Sequence, residues 1–128
     1  MKHYELLAGR ILLAHIFVLA GLNKIGGYDG TQAYMESAGV PGMLLPVVII
    51  LEIGGGLALI AGWFTRYSAY VLAGFSIFAA VLFHSNPGDQ MQMILLMKNF
   101  TIAGGLLVLA TAGAGALSLD ARKVSAHE

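Results

Sequence analysis

The sequence predicts an all-α integral membrane protein whose four long helices cross a lipid bilayer as one bundle. Hydrophobic residues make up 58% of the chain and charged residues only 11%, with a mean hydropathy of +0.79. A soluble domain usually carries about 25% charged residues, and a small globule has too little interior for so much apolar surface. Lipid is therefore the expected solvent, and four long apolar stretches support the same conclusion.

The four stretches are long enough to cross the hydrocarbon core, which takes roughly 17–25 helical residues. The predicted spans cover residues 6–25, 43–63, 67–84 and 93–112. They should be helices because a backbone in lipid must satisfy its hydrogen bonds within its own segment. No A-x-A cleavage pattern follows the first stretch, so it is expected to be a retained helix. Residues 1–128 are expected to form a single transmembrane domain.

The connections between the spans contain recognisable local signals. In the first connection, residues 28–30 (Tyr-Asp-Gly) are typical of a turn. Residues 31–38 are predicted to form about two helical turns that stop before Gly39 and Pro41. In the third connection, Asp89 is a candidate N-cap for the last helix.

Loop charges predict the orientation of the bundle. The first and third connections carry acidic residues, whereas basic residues lie near both termini and in the second connection. These basic residues are Lys2, Arg66, Arg122 and Lys123. The positive-inside rule therefore predicts that both termini are cytoplasmic, and Trp63, Phe64, Tyr67 and Tyr70 form an aromatic belt on that side.

Composition also excludes several classes of function. The chain contains no cysteine, which excludes disulfides, thiolate-bound zinc, cysteine-bound iron–sulfur clusters, covalent haem attachment and a thiol nucleophile. Its net charge is zero and it has no basic run, so nucleic acid is not an expected partner.

Polar and ionisable residues at membrane depth are the candidates for a site, because a charge at the centre of a span costs about 2.5–3.5 kcal/mol. Glu52 and His15 lie near the middle of their spans, and the others lie nearer a membrane surface. The candidate ligand-binding or proton-active residues are Glu52, Lys98, Asn99, Arg10, His84, Asn23 and His15. No metal site is predicted.

Helical periodicity groups these residues. Arg10 shares one face of the first helix with Ala14, Phe17, Gly21 and Lys24. Glu52 lies on a face of the second helix with Gly56 and Leu59, and Lys98 lies on a face of the fourth with Ile102 and Gly105. If these faces turn inward, Glu52 is the only acid available to Arg10 and Lys98, and both side chains are expected to reach it by snorkelling. Small residues such as Gly54, Ala58 and Gly62 are expected to pack the helices together.

Two interpretations of the buried charges remain open. In one, they form an ion pair that only orders the bundle. In the other, the polar groups in the outer half of the membrane line a pocket that opens outward. Taken alone, His84 is expected to be a solvated loop residue and His15 a core histidine bonded to a neighbouring backbone or side chain. The two lie at different depths, so bis-histidine haem ligation is not expected.

The residues that carry these arguments also carry a family resemblance. Over residues 6–118 the chain resembles the DoxX family of small bacterial inner-membrane proteins, by the order and spacing of several short motifs. These are Arg10, GLNKI at 21–25, YM at 34–35, GVPG at 39–42, LEIGGG at 51–56, Gly62, TR at 65–66, FHSN at 83–86 and MKNF at 97–100.

The resemblance implies a bacterial inner-membrane location and a link to redox chemistry. The family takes its name from association with a thiosulfate:quinone oxidoreductase, and some relatives belong to membrane oxidoreductase complexes linked to thiol and oxidative stress. The sequence contains no haem, flavin or iron–sulfur motif, so the cofactor is unknown and a quinone is one candidate. The implied partners are the lipid bilayer, a membrane or periplasmic oxidoreductase, and a second copy of the chain in a homodimer.

Three functions follow as hypotheses. The first is a small-molecule-binding protein or non-catalytic membrane subunit associated with oxidoreductase function. In it Glu52 exchanges a proton, Lys98 and Arg10 hold its charge, and the asparagines and His84 orient a polar head group. The second is a small proton-coupled transporter that uses Glu52. Small multidrug exporters are a weaker parallel, because they carry their membrane glutamate in the first helix. The third is a purely structural membrane partner.

Overall fold

Five α-helices and one short 3-10 turn build most of the fold in a computed structural model that describes residues 2–122, and residues 119–122 are also helical. The helices are α1 (Lys2–Gly26), α2 (Tyr28–Ser37), α3 (Leu45–Ala61), α4 (Thr65–Phe83) and α5 (Gln90–Ala112), with the 3-10 turn Gly42–Leu44 leading into α3. Four of them are long and apolar enough to cross a membrane: α1, α3 with its 3-10 turn, α4 and α5. The all-α membrane prediction is confirmed.

The spans begin and end close to the predicted positions. The α1 and α5 helices start four and three residues earlier than predicted, at Lys2 and Gln90. The predicted cap of α5 is confirmed, because the Asp89 carboxylate accepts the backbone N–H groups of Met91 at 3.0 Å and Gln92 at 3.3 Å. Lys123, one of the basic residues used to predict orientation, lies outside the described residues.

The turn predicted at residues 28–30 is wrong, because α2 already begins at Tyr28. Gly27 makes the break between α1 and α2, and its carbonyl accepts both the backbone N–H and the hydroxyl of Thr31 at 2.9 Å. Asp29 then lies in the first turn of α2, where the helix dipole favours an acid. As predicted, α2 ends before Gly39 and Pro41.

The helices pack as two pairs, α1 with α3 and α4 with α5. The pairs meet mainly where α3 lies against α4, whereas α1 and α5 touch only slightly. The core between them is built from buried alanine, leucine and phenylalanine side chains. The pairs therefore leave space between them towards each end of the bundle.

Close approach at glycine sets the packing within and between the pairs. A side chain at Gly56 would meet Val18 and the backbone oxygen of Ala14, and one at Gly55 would meet Leu72 of α4. The Gly54 position, in contrast, has open space around it. The predicted packing role of Gly54 is therefore wrong, because the face of α3 that contacts other helices passes through the next two glycines.

Candidate functional site

A cavity of about 470 Å³ lies between the two helix pairs, at the end of the bundle that carries α2. All five helices contribute to its walls, which are mostly apolar and include Phe17, Phe75 and Phe83. We call it the α2 cavity. Val47 and Phe78 line it and are also 59% and 66% exposed, so the cavity reaches the outer surfaces of α3 and α4. In a membrane, those surfaces face lipid.

The most polar point of this cavity is an ion pair between Lys24 of α1 and Glu52 of α3. The Lys24 ammonium lies 2.8 Å from one carboxylate oxygen of Glu52 and 3.1 Å from the other. Glu52 is only 2% exposed, and the Lys24 side chain is 27% exposed. The carboxylate is thus buried at membrane depth, and the lysine links it to the more accessible rim of the cavity.

The sequence brings these two side chains together through small residues on the facing helices. An added Cβ at Gly21 would lie 2.5 Å from Ile53 and 3.5 Å from Glu52, so α1 and α3 approach closely beside the carboxylate. Lys24 follows Gly21 by three residues and therefore projects from the same side of α1. Its long side chain can lie along that contact and place its ammonium beside Glu52.

Two further polar groups line the α2 cavity. The Asn99 amide of α5 donates to the backbone oxygen of Ser76 in α4 at 3.3 Å, which ties these helices together at the cavity wall. His84, the first residue after α4, lines the cavity, and its Nδ1 lies 2.7 Å from the side-chain oxygen of Gln92. Both groups thus have a hydrogen-bond partner within the protein.

Helix α2 covers the cavity end. Its residues Thr31, Tyr34 and Met35 line the cavity. The Tyr34 ring stacks on Phe83 at 5.4 Å between centroids, and its hydroxyl donates weakly to the Phe83 backbone oxygen at 3.4 Å. Met35 is buried against Leu45 and neighbouring apolar residues. The short helix is therefore packed onto the bundle as a cover rather than extended away from it.

The predicted contact between Arg10 and Glu52 is wrong, because Arg10 lies at the opposite end of the bundle. Arg10 is 1% exposed, and its guanidinium donates to the backbone oxygens of Ala114 at 2.6 Å, Leu117 at 2.9 Å and Ile60 at 3.3 Å. Arg10 thus ties the chain after α5 to the end of α3. Its burial was expected, but its partners are carbonyl groups, which no sequence pattern identifies.

Lys98 is likewise not the partner of Glu52. It is exposed on α5, seven residues before Gly105, which faces Leu13 of α1. Lys98 therefore lies on the side of α5 that faces α1, outside the lining of the α2 cavity. The expected contact of Lys98 with Glu52 is wrong, because Lys24, on the helix packed against α3, forms the ion pair with that carboxylate.

The two remaining predicted residues, Asn23 and His15, do not line the cavity. Asn23 is exposed near the end of α1. His15 is exposed on α1 and its Nδ1 lies 2.6 Å from the Leu12 oxygen of its own helix. The expected backbone bond of His15 is present, but its expected core position is wrong. The structure thus groups Glu52, Asn99 and His84 and separates the other four candidates from them.

Lys24 is a cavity residue that the sequence analysis did not select as a candidate. Its signal was present, because it shares the helical face of Arg10, Ala14, Phe17 and Gly21, and those four are buried. Tyr34, which also lines the cavity, had no comparable signal, since a tyrosine near a membrane surface is common. An uncharged glutamine at a helix start, such as Gln92, does not stand out either.

The chain is similar in sequence to known membrane proteins. The DoxX family model matches residues 5–85. The chain is 52% identical over 123 residues to the inner membrane protein YqjF of Escherichia coli strain K12, covering 94% of this chain and 95% of that protein. It is 38% identical over 124 residues to the inner membrane protein YphA of the same strain, covering 91% and 89%.

A more distant relative carries a functional name. The chain is 31% identical over 64 residues to the Bacillus subtilis strain 168 protein named "Putative oxidoreductase CatD", which is 50% of this chain and 48% of that protein. No solved structure is a significant match. The names of the two near-full-length relatives and the four apolar helices identify a multi-pass inner-membrane protein.

Proposed function

The chain belongs to the DoxX family, and on that premise we propose that it binds a lipid-soluble small molecule with a polar head group in the α2 cavity, as a membrane subunit associated with oxidoreductase function. The observation that carries the proposal is the buried Lys24–Glu52 pair inside a largely apolar cavity. Apolar walls with a few convergent polar groups are typical of small-molecule sites.

The size and openings of the cavity favour an amphipathic ligand. A volume of about 470 Å³ lies within the roughly 300–1,000 Å³ typical of ligand pockets. The exposed lining residues Val47 and Phe78 give an approach from the lipid side, between α3 and α4. A molecule dissolved in the bilayer could enter there, with its apolar part against the aromatic walls and its head group near Glu52. A quinone is one molecule of this class.

In this proposal Glu52 exchanges a proton with the ligand, while Lys24 holds the charge of the carboxylate. Asn99 and His84 orient the head group from the facing wall. At the other end of the bundle, Arg10 holds the chain after α5 in place through hydrogen bonds from its guanidinium to backbone oxygens. The redox association is supported by the oxidoreductase name of one relative that matches half of the chain. An oxidoreductase partner and a homodimer stay predictions.

Mass spectrometry of lipid extracts from gently purified protein tests the proposal. The wild type is expected to retain a small molecule that Glu52→Gln releases. Ala20→Phe is the matched control for the cavity, because Ala20 lines it without a polar role and a larger side chain should fill it. Loss of the same molecule from Ala20→Phe, with the variant still folded, would show that the molecule occupied this cavity.

Two other outcomes would replace the proposal. A protein that retains no small molecule in any variant would favour a purely structural partner. Proton-dependent flux of a solute in reconstituted vesicles, abolished by Glu52→Gln, would favour the transporter hypothesis. The buried carboxylate motivates that second candidate, since intramembrane acids commonly carry protons in transporters.

A further inference from the structure

The hydrogen bond between His84 and Gln92 determines which ring nitrogen of His84 carries the proton. Nδ1 lies 2.7 Å from the side-chain oxygen of Gln92. An amide oxygen only accepts, so Nδ1 must be the donor in this bond. A neutral imidazole has a single N–H, which leaves Nε2 as a hydrogen-bond acceptor.

The position of Gln92 is itself held by the start of α5. Its backbone N–H donates at 3.3 Å to the carboxylate of Asp89, the N-cap of the helix. Gln92 does not line the α2 cavity, whereas His84 does. Any effect of Gln92 on a ligand would therefore act through the imidazole.

The other polar groups of the cavity offer both acceptors and donors once their internal bonds are made. Glu52 offers carboxylate oxygens, and the Lys24 ammonium contacts both of them and keeps a third N–H. Asn99 uses one N–H of its NH₂ group on the Ser76 carbonyl, which leaves its second N–H and its side-chain oxygen. A preference for one kind of head group therefore depends on His84 and not on an excess of acceptors in the cavity.

We propose that Gln92 is a positioning residue that keeps His84 Nε2 as an acceptor towards the α2 cavity, so that the cavity selects lipid-soluble molecules bearing a hydroxyl group. This inference rests on the proposed ligand cavity and adds the chemical class of the ligand; between a quinone and its reduced quinol, it favours the quinol, which carries hydroxyl groups. A molecule with a hydroxyl donates to His84, whereas one with only acceptor groups meets an acceptor and leaves it unpaired. An acceptor left without a donor costs free energy, so a molecule with a hydroxyl group should bind more tightly than one without.

Nitrogen NMR of histidine-labelled protein in nanodiscs tests the imidazole directly. At about pH 8.5, where an imidazole is normally neutral, the His84 signal, assigned by its loss in His84→Gln, is expected to show protonated Nδ1 and unprotonated Nε2. In Gln92→Leu that fixed state is expected to give way to a mixture. Gln90→Leu is the matched control, since Gln90 is an exposed glutamine at the start of the same helix. A wild-type ring protonated at Nε2 would overturn the inference.

A pair of probes tests the ligand class. Para-hexylphenol and para-hexylanisole differ by one methyl group on the oxygen, so only the phenol can donate. Titration calorimetry in nanodiscs, corrected with empty nanodiscs, is expected to show that the wild type binds the phenol about 3- to 10-fold more tightly, the effect of one net hydrogen bond. The preference should shrink in Gln92→Leu and persist in Gln90→Leu.

The outcomes separate this inference from the proposed function. Equal binding of both probes by the wild type, abolished by Ala20→Phe, would overturn the hydroxyl preference and leave the cavity as a ligand site. Binding of neither probe above the Ala20→Phe level would overturn the ligand class and, together with an empty lipid extract, the proposed function. A preference for the phenol that Gln92→Leu leaves unchanged would overturn the positioning role of Gln92.

Discussion

At the scale of single residues, Lys24 decides whether the Glu52 carboxylate can stay buried as a charge. Removing one partner of a buried pair leaves the other uncompensated, typically at about 3–5 kcal/mol. Because Lys24 is 27% exposed, we expect Lys24→Met to lower the free energy of unfolding by about 3 kcal/mol, the lower end of that range. Denaturation in mild detergent, followed by loss of helical circular dichroism, measures the change.

Two variants make the result specific to the pair. Lys98→Met removes a lysine that is exposed on α5 and is expected to change stability little. The double variant Lys24→Met/Glu52→Leu removes both charges together, so it should recover most of the loss. A double variant as unstable as the sum of its single variants would mean that the two side chains do not stabilise each other.

The charged candidates of the site were predictable only in part. Glu52 and Arg10 could be found because a charge within an apolar span is costly, and both are buried. Their partners could not, since pairing depends on which helices pack side by side. Because α1 packs against α3, Lys24 pairs with Glu52, whereas Arg10 binds backbone oxygens of the chain beyond α5. Every residue carries a backbone carbonyl group, so the residue types do not show which carbonyl groups accept the bonds.

At the scale of the helices, the contact between α1 and α3 depends on one glycine more than on its neighbours. An added Cβ at Gly56 would lie 2.7 Å from Val18 Cγ2 and 3.2 Å from the Ala14 oxygen and the Val18 nitrogen. Backbone atoms cannot move aside cheaply, so Gly56→Ala is expected to destabilise the protein by about 1–3 kcal/mol. The midpoint of denaturation in detergent reports the loss.

Gly54→Ala is the matched control, because the same substitution two residues earlier on the same helix meets open space. Alanine has the higher helix propensity, by up to about 1 kcal/mol, so this variant should be neutral or slightly more stable. If both variants lost stability equally, the effect would come from the helix backbone and not from the α1–α3 contact.

Arg10 joins three parts of the chain at the end opposite to the α2 cavity. It binds the chain after α5 through Ala114 and Leu117, and Asp120 in that segment accepts the backbone N–H groups of Phe64 and Thr65 at the start of α4. Lysine cannot reproduce the planar fork of donors. Arg10→Lys should therefore speed hydrogen exchange in residues 113–122 at least about tenfold, the effect of losing roughly 1.4 kcal/mol.

The comparison helix for this exchange measurement is α2, which is far from Arg10 and should keep its wild-type rate. Uniform acceleration throughout the protein would indicate global destabilisation and contradict a local tie. Unchanged exchange in residues 113–122 would mean that Asp120 and its bonds to α4 hold the segment without Arg10.

The helices themselves were largely predictable, and their mutual arrangement was not. Length and hydropathy are local properties, so the four spans and the Asp89 cap could be found from the sequence. Which glycines meet a neighbour depends on the rotation of each helix about its axis. That rotation comes from packing, and it directs Gly55 and Gly56 to neighbouring helices and Gly54 to open space.

At the scale of the whole molecule, the two ends of the bundle differ in construction. The Arg10 end is tied by hydrogen bonds from the Arg10 and Asp120 side chains to backbone groups of α3, α4 and the chain after α5. The other end holds the α2 cavity, with α2 as its cover.

The orientation of this bundle decides from which side of the membrane the cavity could be reached. The loop charges predict that the Arg10 end is cytoplasmic and that the α2 cavity lies towards the periplasm. The natural chain has no cysteine, so single cysteines can be introduced without removing others. In intact cells, a membrane-impermeant maleimide should label Ser85→Cys, in the exposed loop before α5, and should not label Tyr4→Cys at the start of α1.

Permeabilised cells provide the control, since both cysteines should then react. Labelling of Tyr4→Cys alone in intact cells would reverse the orientation and place the cavity on the cytoplasmic side. The result also bears on the proposed partner, because an oxidoreductase that contacts the α2 end of the bundle from outside the membrane must lie on the same side as Ser85. A periplasmic Ser85 would favour a periplasmic or membrane enzyme, and a cytoplasmic Ser85 would favour a cytoplasmic or membrane enzyme.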